Sequence, residues 1–338
     1  MKKTLAIILA CVLALTMLAA CNDKDDSSSS SSDSGQNSPS TQNSPATQSN
    51  EPATQSSDNS TAQSPDAADS SPNVQSASAV SSFSGMISVV TREEGSGTRD
   101  AVRDLFNIKD ADGKENVTPE AMVQDSTGNM MTAVAGDPNA IGYCSLASLN
   151  DTVKALSIDG VDATSANVKN GSYKIQRPFY LATMGEADGL AKDFIEFILS
   201  AEGQTAATKR CIPVDDNAPA YSGSAPSGRI VVGGSSSVSP VMEDLIKAYK
   251  ELNPNAEIEL QTSDSSKGMS DAKSGAYDIG MASRELKDSE IEDGLIPVFI
   301  AIDGIAVIVN GTNPLTGLSV EQVRDIYNGE FEDWADVQ

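Results

Sequence analysis

From Arg92 to Thr98 the chain reads Arg-Glu-Glu-Gly-Ser-Gly-Thr, residue types suited to holding a small oxyanion. Arg92 brings a planar, permanent charge, Ser96 and Thr98 bring hydroxyls, and Gly95 and Gly97 let the backbone curl its N–H groups toward one point. Two further turns share this character: Gly233-Gly234-Ser235-Ser236-Ser237 and Ser263-Asp264-Ser265-Ser266-Lys267-Gly268. Ser126-Thr127-Gly128 is a weaker copy and reads as a helix cap. Any one of these turns alone, Thr98 and its neighbours included, is explained as well by simple capping with Arg92 in solvent. Three of them at strand ends point to a shared ligand.

The chemistry they suit is binding rather than bond breaking. The chain contains no histidine, which removes Ser-His hydrolysis, His-ligated zinc and a histidine general base. Gly95-Ser96-Gly97 is not a nucleophile elbow, and the GGSSS run lacks the lysine of a phosphate loop. No Asp/Glu spacing announces a metal site and no motif calls for a cofactor, so an enzyme such as a phosphoesterase has no nucleophile or metal to use. An enzyme is not expected.

The residues need strands and helices to aim them. Ile87–Phe106 runs an apolar strand into the Gly-Ser-Gly-Thr turn and then a helix with Val102, Leu105 and Phe106 on one face. The unpaired N–H groups at such a helix start sit at the positive end of its dipole. Arg229–Val232 feeds the second turn and a helix from Ser239 and Pro240, with Val241, Leu245, Ile246 and Tyr249 on one side. Glu257–Gln261 feeds the third. Further strands are expected at Ala140–Leu149, Pro178–Met184, Tyr277–Ser283 and Leu295–Asn310, and a helical stripe at Leu190, Phe194, Phe197 and Ile198. Ser319 and Gln322 form a capping box for a last helix that stops near Gly329. This alternation implies an α/β fold with a mostly parallel sheet and ligands at the carboxyl ends of strands.

The first 84 residues read differently. Lys2 and Lys3 precede an apolar run from Leu5 to Leu18, and Leu18-Ala19-Ala20-Cys21 supplies a small-residue cleavage site, so residues 1–21 form a signal segment. Residues 22–84 are dominated by Ser, Asn, Gln, Thr, Pro and Asp and are expected to form a disordered tether. Residues 213–228 form an internal linker of similar type. Cys144 and Cys211 either pair or stay as buried thiols. With 48 acidic against 23 basic residues, the net charge of −25 argues against nucleic acid as a partner. It does not argue against a small anion, which responds to charges within a Debye length of about 8 Å.

VVTREEGSGTRDA, GGSSSVSPVMEDLIKAY, TSDSSKGM and DIGMASREL each resemble a stretch of the substrate-binding lipoprotein of bacterial high-affinity phosphate ABC transporters. The cysteine closing the signal segment resembles that family's lipobox, in which Cys21 would carry the lipid. The resemblance implies a two-lobed periplasmic-binding-protein-like fold of type II. It also implies a lipid anchor at the outer face of the bacterial cytoplasmic membrane, inorganic phosphate as ligand and a membrane permease as partner. Carried over, the phosphate site comprises Arg92, Ser96, Gly97, Thr98, Ser236, Ser237, Ser265 and Ser283.

Two departures stand out. Some relatives place an aspartate after the serine equivalent to Ser283, where it accepts the proton of phosphate and helps reject sulfate, but this chain has Arg284. Asp264 is the leading substitute acceptor, ahead of Glu93, Glu94 and Asp278. The halves also come in reversed order, so the fold is expected to be circularly permuted. One lobe would then span residues 85–178 and 310–338 and the other residues 179–309, in a monomer. A truncated tandem fusion, whose halves need a second chain, is the rival. Alternatives of function are another tetrahedral anion such as sulfate or molybdate, or a surface sensor or adhesin without transport.

Overall fold

The computed structural model describes residues 83–337. The signal segment, Cys21 and all but the last two residues of the expected tether lie outside the described residues. In chain order the first elements are β1 (Ser88–Arg92), α1 (Gly97–Leu105), β2 (Met122–Gln124), α2 (Thr127–Gly136), β3 (Ala140–Ser145), β4 (Val153–Ala155), β5 (Ser157–Ile158) and α3 (Ser165–Lys169). There follow β6 (Gln176–Met184), α4 (Gly189–Ile198), α5 (Ala201–Ala207), β7 (Ile212–Pro213), β8 (Gly228–Ser235), α6 (Ser239–Leu252) and β9 (Ala256–Ser263). Then come α7 (Ser265–Ser274), β10 (Ile279–Ala282), α8 (Asp288–Glu292), β11 (Leu295–Asn310), β12 (Gly317–Leu318) and α9 (Val320–Asn328).

One sheet runs in the order β2-β1-β3-β11-β6-β10-β8-β9. Its two ends are parallel: β1 pairs with β2 and β3, and β8 with β9 and β10. Its middle is antiparallel, β11 against β3 and β6, and β6 against β10. The expectation of a mostly parallel sheet therefore holds only for the strand-turn-helix units that carry the Ser/Gly turns. β10 and β11 flank β6 and both run antiparallel to it, so the direction of these strands is set by which partners meet and not by a strand-turn-helix crossover.

Two apolar clusters fill the two lobes. The first joins Val89, Val90, Val102, Met130, Ile141, Ile305–Val309, Ile326 and Trp334; the second joins Phe179, Leu181, Phe194, Phe197, Leu245, Tyr249, Ile279 and Ile300. The expected stripes on α4 and α6 face the second cluster, and burial of each such side chain contributes roughly 1.5–3 kcal/mol. The changeover differs from the expected 309/310. β11 pairs with β6 from Leu295 to Gly304 and with β3 from Ile305 to Val309, so its last residues pack with the first lobe. The apolar run of β11 is broken by Asp303-Gly304 at the point where it leaves one partner for the next, a local mark that the expected boundary passed over. The other crossing lies beside it, since Ile305 N–H donates to the Ile175 carbonyl at 2.8 Å.

The capping box at Ser319 and Gln322 and the left-handed stop at Gly329 form as expected. Cys144 and Cys211 are buried free thiols. Residues 85–87 lie against residues 332–334: Met86 bridges Asp333, Ile87 N–H donates to Glu332, and Trp334 N–H donates to Gly85. The 213–228 linker is pinned by buried Asp193, which accepts from Tyr221 Oη and from the Ser224 N–H at 2.8 Å.

Candidate anion-binding site

β1 carries Arg92 to the mouth between the lobes, where its side chain is 2% exposed. The backbone there is held on both sides. Arg92 N–H donates to Tyr143 Oη at 3.0 Å, and its carbonyl accepts from Arg99 Nη1 at 2.8 Å. Burial pushes the Tyr143 phenol up to about 12, so it stays a neutral partner. The chain then turns through Gly95, whose φ of 89° is a left-handed conformation that side chains resist. Ser96 caps α1 by accepting from the Arg99 N–H, which leaves Thr98 uncommitted to capping. Thr98 Oγ1 lies 2.9 Å from Ser237 Oγ on the opposite lobe.

The second lobe meets this cradle with the carboxyl ends of β8 and β10 and the start of α7. Ser237 and Ser265 are buried to within 1% and Ser283 completely. Ser265 Oγ accepts the Ser283 N–H at 3.0 Å and lies 3.3 Å from Ser283 Oγ. Gly97 faces both hydroxyls. A Cβ there would come within 2.6 Å of Ser265 Oγ and 2.8 Å of Ser283 Oγ, so glycine is required by the opposing lobe.

Arg92 stitches the halves together. Nε and Nη2 hold the Glu93 carboxylate at 2.7 Å each, Nη1 donates to Thr127 Oγ1 at 3.1 Å, and Nη2 donates to Ser236 Oγ at 3.2 Å. Ser236 Oγ also accepts the Thr127 N–H, and Thr127 Oγ1 lies 3.0 Å from Ser237 Oγ. The structure thus brings Arg92, Ser96, Gly97, Thr98, Ser236, Ser237, Ser265 and Ser283 to one place. The first turns of α1, α2 and α7 converge there, adding three positive dipole ends to a buried guanidinium and a ring of hydroxyls.

Four residues of this region were not among those singled out from the sequence. Thr127, read as part of a cap, is 2% exposed and sits in the cluster, while Ser126 does the capping. Ser235 donates to Ser283 Oγ at 2.9 Å. Arg177 on β6 donates through Nη1 to Ser283 Oγ at 3.2 Å and pairs through Nε and Nη2 with Asp303 on β11. Asp303 also accepts from Ser145 Oγ at 2.8 Å and from the Ala147 N–H. Burial pushes the Asp303 carboxyl up to about 6, against the pull of Arg177, and lowers Arg177. A signal was present: a lone carboxylate in sixteen otherwise uncharged residues of strand must have a partner.

Of the acceptor candidates Asp264 stands against the cradle, where a Cβ on Gly95 would come within 2.6 Å of its Oδ1. Asp264 Oδ1 caps α7 by accepting the Lys267 N–H, Glu93 is clasped by Arg92, Glu94 is exposed, and exposed Asp278 accepts the Val231 N–H at 2.7 Å. Arg284 turns away from the hydroxyl ring. It pairs with Glu290 at 2.8 Å and lies 3.6 Å from Asp100 of the other lobe.

A family model described as a PBP superfamily domain matches residues 68–202 and 219–338. The phosphate-binding protein PstS 2 of Streptococcus agalactiae is 47% identical over 267 residues, covering 78% of this chain and 91% of that protein. The phosphate-binding protein PstS of Bacillus subtilis is 37% identical over 133 residues, which are 38% of this chain and 42% of that one. A crystal structure of the phosphate-binding protein of a phosphate ABC transporter from Streptococcus pneumoniae superposes with a TM-score of 0.60 at 40% identity, covering 75% of this chain and 100% of that one. The two-lobed α/β architecture, the turns that meet between the lobes and this depth of sequence match agree. The chain belongs to the PBP superfamily and, within it, to the family of transport substrate-binding proteins that includes the streptococcal PstS 2 proteins.

Proposed function

We propose that this chain captures inorganic phosphate outside the cytoplasmic membrane and delivers it to the permease of an ABC transporter, without catalysing a reaction. The observation that carries this reading is the buried guanidinium of Arg92 inside a ring of serine and threonine hydroxyls at three helix starts. A dehydrated oxyanion is held best where fixed dipoles and charge-assisted donors replace its water. Arg92, Ser96, Gly97, Thr98, Ser236, Ser237, Ser265 and Ser283 are its proposed contacts, joined by Thr127. Calorimetric titration of the full chain in detergent with phosphate, sulfate and molybdate tests this. Binding of none of them refutes it.

The anchor is proposed to be lipid on Cys21, with residues 22–84 as spacer and no nucleic acid as partner. Cys21→Ser releasing the protein from the membrane with unchanged phosphate affinity is the expected result. Retention of that variant on the membrane after signal cleavage refutes it.

The chain is further proposed to be a circularly permuted monomer. A match that runs through nine-tenths of the S. agalactiae protein needs its halves in the same order, whereas the B. subtilis match stops at less than half of each chain. The adjacency of residues 85–87 and 332–334 and the pinned 213–228 linker fit old and new junctions. Closing a loop costs free energy that grows only slowly with its length, so such reordering is undemanding. One phosphate per monomeric chain is expected. Binding only by a dimer that exchanges halves refutes the permuted monomer.

A further inference from the structure

Among the described residues β2 pairs with β1 alone, so one end of the main sheet has no strand beside it. In the parallel ladder the Gln124 carbonyl accepts from the Glu93 N–H, which turns Gln124 inward and, by alternation, the N–H and carbonyl of Val123 outward. The same corner is apolar. Met86, Val123 and Met122 are 76%, 57% and 50% exposed, three of the four most exposed large apolar side chains among the described residues. Met86 and Met122 line a groove of about 430 Å³ with Ile87, Ile326 and Phe331, at the amino end of β1. An open edge beside an apolar patch is a place where another segment adds.

The chain itself arrives there. Phe83, the first described residue, packs on Trp334 at 5.9 Å between ring centres, and Met86, close behind it, already forms a wall of the groove. What precedes Phe83 differs in composition from the tether further back. Residues 73–91 contain no charged residue and no proline, and Ser76-Ala77-Ser78-Ala79 alternates with a period of two. The match to the PBP superfamily starts at residue 68, and the compact unit that contains both lobes starts at Ser76, each ahead of Phe83. Seven extended residues reach about 24 Å, and the far side of β2 is about 10 Å from β1. A segment already attached at the rim meets the groove at high effective concentration, so weak contacts suffice to hold it.

We propose that residues 76–82 dock in this groove in extended form and add a strand to the open edge of β2, with Ala77 and Ala79 toward Met122 and Val80 toward Val123. The outward N–H and carbonyl of Val123 supply the pairing, and the apolar side chains on either face of β2 supply the contact. The proposed spacer then ends at residue 75. It leaves the fold at the end of β1 opposite Arg92, which keeps the anion site clear of the tether and closes the edge to other chains. The inference goes beyond the phosphate reading and neither uses nor tests it.

Amide hydrogen exchange read by mass spectrometry tests this on the full chain in phosphatidylcholine vesicles, and on the chain from residue 21 carrying Cys21→Ser in buffer. In both, residues 76–82 are expected to exchange about tenfold or more slower than residues 60–70. Met122→Glu, at a half-exposed position, and Ala79→Glu, on the segment itself, are each expected to bring residues 76–82 to the rate of residues 60–70 while β3 keeps its protection. Ala79→Glu lies outside both lobes, so it decides the matter should Met122→Glu fail to fold. Equal exchange of the two segments in the wild type overturns the inference, as does protection that survives both substitutions. Protection on vesicles alone assigns the groove to the lipid surface, and protection lost on tenfold dilution in buffer assigns the edge to a second copy of the chain. Either result overturns it too.

Discussion

Both lobes bring a buried arginine to the site, each 2% exposed, and they solve the problem of burial differently. Arg92 takes its counter-charge from the next residue, Glu93, whose side chain is 20% exposed and keeps contact with water. Arg177 takes it from Asp303, fully buried and 126 residues away. Two charges withdrawn completely from solvent cost more than two at its edge, and only good geometry and extra hydrogen bonds offset that cost. Asp303 has them, from Ser145 and Ala147. In the proposed site the first arginine is therefore the charge left to face a ligand, while the second is spent on its partner and bears on the site only through Ser283.

The sharpest break of this comparison is Arg177→Met against Glu93→Gln, measured by chemical denaturation. Arg177→Met leaves Asp303 buried without its cation and is expected to cost about 3–5 kcal/mol at about pH 8. Glu93→Gln, at the solvent edge, is expected to cost about 1 kcal/mol or less. The first loss must depend on pH. Asp303 already stands above the usual carboxylate range, at about 6, so the stability it lends is complete in acid and falls as pH rises through that value. Removing the attraction of Arg177 raises it further, so the variant keeps losing roughly 1.4 kcal/mol per pH unit where the wild type has levelled off. A pH-independent loss would mean that Asp303 does not titrate with the fold.

Arg92→Ala sharpens the other half. Phosphate affinity is expected to fall by roughly 2–5 kcal/mol with little change in melting temperature, because a buried oxyanion loses its charged donor while Glu93 relaxes into water. A large fall in stability with modest loss of affinity would make the two arginines alike.

The same contrast explains what the sequence disclosed. Arg92, its glycines and its hydroxyls lie within seven consecutive residues, and the serine turns repeat that pattern, so local chemistry was enough to find them. Arg177 and Asp303 meet only because β6 and β11 pair in one register, which no local pattern records. The helical stripes on α4 and α6 were legible because periodicity is local. The antiparallel middle of the sheet was not, since strand direction depends on which partners meet. Thr127 hid for a third reason: Ser126 satisfies the cap and leaves its neighbour looking redundant.

Gly97→Ala probes where the two lobes press together. Its Cβ would meet Ser265 Oγ, Ser283 Oγ and, at 3.0 Å, the Ser283 carbonyl carbon. Overpacking of this kind costs about 1–3 kcal/mol, and here it should be read as lost phosphate affinity, since the clash exists only when the lobes approach. Equal loss of folding stability would instead place the clash within one lobe.

The smallest expected effect belongs to an ionic contact between the lobes at their mouth, outside the hydroxyl ring. Arg284 gives its Nη groups to Glu290 and turns Nε toward Asp100 at 3.6 Å, with no hydrogen bond to that buried nitrogen. Glu290 lies on the same lobe as Arg284, so Asp100→Asn leaves that pair intact and weakens two others, the attraction across the mouth and the pair with Arg103 on α1. A partly exposed ion pair is worth about 0.2–1 kcal/mol, which predicts phosphate release up to about fivefold faster, with a melting temperature lowered only slightly by the lost Arg103 pair. The difference should shrink as salt is raised, because Asp100 is reached by solvent. In stopped-flow measurements the effect must fall on the dissociation rate, and Arg284→Met must show no further change once Asp100 is replaced. A change confined to the association rate would make Asp100 a guide for the incoming anion and leave Arg92 and its hydroxyls as the whole of the contact between the lobes.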